Sequence, residues 1–277
     1  MRELEKLRQE LAAIDQELLE QFLRRMQTID RIAECKEKTQ GKVFDPEQEA
    51  KVIRRTEANT TPRFKPYAGV FMRTLMRLSR ERQYELLVKW GRAPIQVLPE
   101  IQARQDRVKI LGLPCDLGSS GIQATQALYP EATLVHTEAA DSACRQVAEG
   151  SIDCAIVPLT GELFSLLKKH ALYIQARLSL SVDYVAVGSE LILPFDVQSV
   201  HFLIQIGSME ALPLVIHILG DLGLTLAQIQ SLQDASICVE FCADPASPRT
   251  RQALYHIQQE AGEMRLLGCY GLPISEH

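Results

Sequence analysis

From Arg2 to about Lys38 the chain runs some 37 residues with neither glycine nor proline before Gly41. At 1.5 Å per residue a helix of that length spans roughly 55 Å, longer than a small domain is wide, so a second chain is needed to cover its apolar face. That face is continuous: Leu4, Leu7, Leu11, Ile14, Leu18, Phe22, Ile29 and Ile32 recur at steps of three and four. Arg25 and Lys36 continue the same series, where core side chains are expected. At about 100° per residue both lie within roughly 20° of the centre of the stripe, and Arg8 lies near its edge. Cations are costly to bury unpaired, so a negative group should meet them. The alternatives are that they snorkel out of the core or pair with Glu34, Glu37 or another acid.

A net charge of -5 over 277 residues gives no basic field, which argues against nucleic acid as a partner. The seven cysteines (Cys35, Cys115, Cys144, Cys154, Cys238, Cys242 and Cys269) are odd in number, scattered, and form no C-x-x-C pair. They read as reduced thiols of a cytoplasmic protein rather than a disulfide frame or a zinc site. Cys238 and Cys242 have no histidine at ligand spacing, and no metal or cofactor is expected. The charged, amphipathic N-terminus is unlike a signal peptide, and no apolar stretch reaches membrane length, so no membrane partner is expected.

Residues 1–90 read as three helices. Asp45 and Pro46 supply an N-cap and a first-turn proline for the second, with Gln48 placed to complete a capping box. The third follows Pro66 and carries Phe71, Met72, Leu75, Met76, Leu86 and Leu87 on a broad apolar arc that also holds Ser79 and Gln83. Residues 91–107, with Pro94, Pro99, Arg104, Asp106 and Arg107, read as a linker. Over 108–190, β-branched runs at Val108 to Leu111, Cys154 to Val157 and Tyr184 to Val187 alternate with helical patterns at Gln123 to Leu128 and Ser142 to Glu149, as α/β units do. Residues 198–277 read strand, helix, strand, strand, helix, strand, the order of a ferredoxin-like βαββαβ module. The expected architecture is therefore multidomain, α followed by α/β.

The series L-R-x-x-L-x-x-I-D at Leu7 to Asp15, Arg25, Lys36, D-P-x-x-E at Asp45 to Glu49, and S-R-E-R-Q at Ser79 to Gln83 resembles the all-helical chorismate mutases. It spans nearly all of residues 4–87 and is distributed over three helices. The resemblance implies an intertwined homodimer in which the long first helix serves both active sites and Arg8 reaches into the partner's pocket. Downstream, the order resembles the bifunctional enzymes that fuse chorismate mutase to prephenate dehydratase and an ACT regulatory domain. Val108 to Gly112 and Asp153 to Pro158 match the opening and end of the dehydratase first lobe. After Pro158, however, Leu159-Thr160-Gly161-Glu162 replaces a run beginning Glu-Asn, and Val182-Asp183-Tyr184 stands for a Thr-Arg-Phe signature. Only about 25 residues separate Pro158 from that position, too few for the family's second lobe, so 108–190 reads as a truncated, inactive remnant. The ACT-like segment 198–277 ends in Leu266 to Tyr270. It carries Glu210-Ala211-Leu212 for Gly-Ala-Leu and Gln230 to Gln233 for Glu-Ser-Arg-Pro, so binding of an amino-acid effector and a purely dimerising role stay equally open.

Rearrangement of chorismate to prephenate is intramolecular, so the enzyme needs only to hold the reactive conformer and stabilise charge. By the resemblance, Arg8 of the second chain and Arg25 bind carboxylates, and Lys36 and Gln83 donate to the ether oxygen. Ser79 assists a carboxylate, while Asp45 and Glu49 orient the ring hydroxyl. One position departs: Gln48 stands where the family usually has arginine. Losing that cation would cost about 1.5 to 3 kcal/mol, one to two decades of activity. Lys51, one turn on, could restore part of the charge. Each residue also has a plainer use: Ser79 can bond to a helix carbonyl, Glu49 can pair with Arg8 or Lys36, and Asp45 is a good cap regardless. Three other functions stay open: a fully bifunctional mutase–dehydratase, a non-catalytic regulator that binds chorismate or an enzyme, and an isochorismate pyruvate-lyase.

Overall fold

The computed structural model describes residues 2–92, 108–192, 199–232, 234–271 and 274–275. Nearly all of the 91–107 linker, and Gln233 of the altered effector motif, lie outside these residues. The chain divides into two compact units, 1–93 and 94–277.

The first unit is helical: α1 (Arg2–Thr39), α2 (Pro46–Ala58) and α3 (Lys65–Lys89). The glycine expected to stop α1 does so indirectly. Gln40 takes the left-handed conformation, φ 53°, while the Gly41 and Gln40 amides return to the Lys36 and Glu37 carbonyls. This is a Schellman ending, with Gln40 where glycine usually sits. Arg92 Nη1 adds a second donor to Lys36 O (3.0 Å), and its Nη2 donates to Gly41 O (3.1 Å), just beyond the helix end. At α2, Asp45 caps as expected, its Oδ1 accepting from the Gln48 amide at 2.9 Å.

α3 packs on both α1 and α2. Its buried side chains include Met76, Tyr84, Leu86 and Leu87, and Ile29 and Ala33 are the buried residues of α1. Burying a large apolar side chain contributes about 1.5–3 kcal/mol, so this C-terminal half of α1 is where the single chain has its helical core. Arg82 fastens the pair with a two-pronged contact to Asp30, at 2.8 and 2.9 Å. The N-terminal half of α1 is different. Leu4, Leu7, Leu11, Ile14 and Leu18 stand 46–57% exposed, an apolar stripe left uncovered among the described residues. Among the described residues no helix is long and apolar enough to cross a membrane.

The second unit is built on one mixed sheet. Its first half runs β1 (Ile110–Pro114), α4 (Gly118–Leu128), β2 (Thr133–Thr137), α5 (Ala140–Ala148), β3 (Cys154–Pro158), α6 (Gly161–His170), β4 (Tyr173–Ser179) and β5 (Asp183–Gly188). β1 pairs in parallel with β2 and β3, and β5 lies antiparallel between β3 and β4. The roughly 25 residues after Pro158 thus hold one helix and one strand, α6 and β4. The second half runs β6 (Val200–Ile206), α7 (Leu212–Asp221), β7 (Thr225–Ser231), β8 (Ile237–Ala243), α8 (Pro248–Glu260) and β9 (Met264–Tyr270), with the short β10 (Ile274–Ser275) beside β4. These four long strands are antiparallel, in the order β9-β6-β8-β7.

Strand alternation sorts their side chains to two faces. Phe202, Ile204, Ile206, Val239 and Phe241 pack with α7 and α8, whereas Leu203, Cys238 and Tyr270 join a second core with Phe164 and Leu167 of α6. The halves of the sheet meet where β4 runs parallel to β9, paired at Ile174 and Gly268. A Cβ on Gly268 would sit 2.3 Å from the Ile174 carbonyl oxygen, so this junction closes only over a residue without a side chain. A buried ionic network crosses the same junction. Arg177 of β4 holds both Asp183 and Glu240, and Glu240 also accepts from Tyr270 (2.9 Å) and contacts His201 (2.6 Å).

Candidate active site

The candidate residues of the helical unit fall on three pieces of chain: the C-terminal half of α1, the Gly41–Asp45 connection with the first turn of α2, and the middle of α3. Arg25 reaches α3, donating through Nη1 to Leu75 O at 3.1 Å and to Ser79 Oγ. Ser79 in turn bonds to Leu75 O, the local helix contact that its sequence allows, and so becomes a buried acceptor for the guanidinium. Lys36 is also half-buried and donates to Val43 O at 2.7 Å. Among the described residues, the hydrogen-bond partners of Arg25 and Lys36 are oxygens of carbonyl and hydroxyl groups, not carboxylates.

Burial lowers the Arg25 pKa from its ordinary value. It draws the Lys36 ammonium below its usual value as well, against the opposing pull of Asp45 and Glu49. If Lys36 must carry a charge in the reaction, its loss on raising the pH sets the alkaline limb. kcat/KM should then fall at a lower pH than the usual lysine value of about 10.4, and Lys36→Arg should push that limb upward. A pH–rate profile of both proteins with the same alkaline limb would remove Lys36 from the reaction.

Gln83 is buried on α3, with Nε2 donating to Ser79 O at 3.1 Å. Its Oε1 is enclosed without a hydrogen-bond partner among the described residues. A buried acceptor in that state costs about 1–3 kcal/mol, so a donor from a ligand or a second chain would be favoured there. Asp45 is exposed and caps α2, and the Gln48 side chain is exposed beside it. Glu49 pairs with neither Arg8 nor Lys36 but with Arg80 of α3. Arg8 is two-thirds exposed near Glu5. Seventeen residues along one helix place it about 25 Å from Arg25, beyond reach of its own chain's cluster.

The structure thus brings Arg25, Ser79 and Gln83 together, gathers Lys36, Asp45, Gln48 and Glu49 around the start of α2, and leaves Arg8 apart. Arg80 was missed in the sequence. Its signal was there: Met76, Ser79, Arg80, Gln83 and Leu87 follow the spacing of one helix face, so Arg80 is as misplaced among apolar neighbours as Arg25 is.

Residues 7–84, which contain every one of these positions, match the family model of chorismate mutase type II. No curated protein matches the chain. Two solved structures resemble this chain in fold. Prephenate dehydratase from Streptococcus mutans is 15% identical, with a TM-score of 0.51 covering 60% of this chain and 100% of that one. Prephenate dehydratase from Arthrobacter aurescens, solved in complex with L-Phe, is 11% identical, with a TM-score of 0.51 covering 58% and 89%. At such identities the likeness is one of fold.

Proposed function

We propose that the chain is a chorismate mutase that works as a homodimer in the cytoplasm. The observation that carries this reading is the pair of half-buried cations, Arg25 and Lys36, bonded to neutral oxygens inside the segment that matches the mutase family. Chorismate has two carboxylates, and negative charge gathers on its ether oxygen as the bond breaks. Arg25, backed by Ser79, binds one carboxylate with a geometry suited to two-point contact. Lys36 donates to the ether oxygen, Gln83 does so with its amide turned to present Nε2 in place of the unpaired Oε1, and Asp45 and Glu49 orient the ring hydroxyl. No nucleophile or proton relay is needed: fixed donors that do not reorganise supply the rate. The exposed stripe on α1 supports a second copy as the remaining wall, bringing Arg8 from that copy.

Residues 108–190 are a dehydratase-like lobe without dehydratase activity, and 198–277 an ACT-like regulatory module. The strand order β9-β6-β8-β7, antiparallel throughout, supports the ferredoxin-like reading of that module. The neighbour bound to L-Phe supports an amino-acid effector. Against dehydration, Asp183 is bound in an ion pair with Arg177 and Val182 is exposed, where the resembling enzymes carry a hydroxyl and a cation. The fold likeness, which covers the whole of one dehydratase, favours the bifunctional reading instead. One assay separates the two: pure full-length protein should convert chorismate to prephenate and form no phenylpyruvate from it. Phenylpyruvate would establish the bifunctional enzyme, and untouched chorismate would overturn the mutase.

A further inference from the structure

Position 48, where the mutase resemblance calls for a cation, holds a glutamine whose side chain is exposed. The facing helix supplies a guanidinium at the same turn of α2. Arg80 is only 9% exposed, contacts Glu49 through Nη1, and lies over the Phe44 ring at 4.9 Å. The residue before Phe44 is Val43, whose carbonyl holds Lys36. Neighbouring residues of one short connection therefore grip both Lys36 and Arg80, and Glu49 acts on both cations.

We propose that Arg80, held in place by Glu49 and Phe44, binds a chorismate carboxylate in place of the cation missing at position 48, an inference that rests on the mutase reading. Arginine suits this position better than lysine. Its planar guanidinium carries five donors in a fork that matches carboxylates, while its face stacks on the ring.

The test measures kcat, KM and melting temperature of the full chain carrying Arg80→Met, Arg80→Lys, Gln48→Arg, or Gln48→Arg with Arg80→Met. Arg80→Met, which keeps an apolar stem over Phe44, should lower kcat/KM about 10- to 100-fold, mainly through KM. Arg80→Lys should recover part of the loss, and Gln48→Arg should restore most of it in the Arg80→Met background. A structural role alone would lower the melting temperature without that rescue. Unchanged kcat/KM in Arg80→Met, or a loss that Gln48→Arg does not repair, overturns the assignment. Should Arg80→Met not fold, Arg80→Lys decides: a raised KM at an unchanged melting temperature supports substrate contact, and unchanged kinetics overturn it. A wild type that leaves chorismate untouched sinks the mutase reading and this inference together. An active wild type with unaltered Arg80 variants sinks the inference alone.

Discussion

Arg25→Ala should reduce kcat/KM for chorismate by about 100- to 1,000-fold, the loss expected when a preorganised donor to developing or fixed negative charge is removed. The reduction should exceed that of any change at Gln48, because Arg25 has two linked roles. Its Nη1 bridges to Leu75 O and Ser79 Oγ, so on the proposed reading its removal takes away a carboxylate ligand and frees the hydroxyl that would assist it. Arg25→Lys tests the geometry. An ammonium keeps the charge but lacks the fork, and recovery should be partial. A melting curve guards against the trivial explanation, since Arg25 also ties α1 to α3. A folded Arg25→Ala protein with wild-type turnover would remove the cluster from the chemistry.

The second expected result concerns who supplies Arg8. Arg8→Ala and Arg25→Ala should each be close to inactive, yet mixed in equal amounts and allowed to exchange they should regain about a quarter of wild-type activity. Half of the dimers in such a mixture combine the two variants. In those, one site joins an intact Arg8 from one copy to an intact Arg25 from the other, while the second site lacks both. The basis is spatial: the two arginines lie about 25 Å apart along one helix, and the apolar stripe around Arg8 is exposed among the described residues. A mixture no more active than its parts would show that each site is built within one chain.

The helical unit was legible because its rules are local. The stripe, the Asp45 cap and the misplaced cations all follow from spacing within a single helix, and the structure places α1 to α3 within a few residues of the expectation. Gln40 rather than Gly41 took the left-handed position because the closing pattern counts residues from the last helical turn, and a glycine one place later still supplied the needed amide. Arg80 escaped notice because it sits in the run Arg80-Glu81-Arg82, which reads as a solvated face. Its spacing still sets it on the buried face of α3, where Glu49 and Phe44 meet it. Glu49 likewise paired across helices with Arg80, a contact separated by 31 positions that no helical periodicity encodes.

In the second unit, β3 and β5 were visible as buried β-branched runs. β2, α6 and β4 were not: β2 is largely exposed, and β4 carries Gln175 and Arg177 among its apolar residues. The polar residues of β4 find partners that local periodicity does not encode: Gln175 donates to Glu190 O, and Arg177 contacts Asp183 of β5 and Glu240 of β8.

The junction between the two halves of that sheet has a consequence for how they can move. Backbone pairing there is confined to Ile174 and Gly268, and an oily seam of that kind would tolerate slippage. Arg177, bound at once to Asp183 on its own side and to Glu240 across the gap, acts as a key in a slot. A slip would break the Arg177 contact to the buried Glu240 and leave that carboxylate with Tyr270 and His201 alone. The absent side chain at Gly268 lets the leaves touch, and the charges dictate the one alignment in which they do.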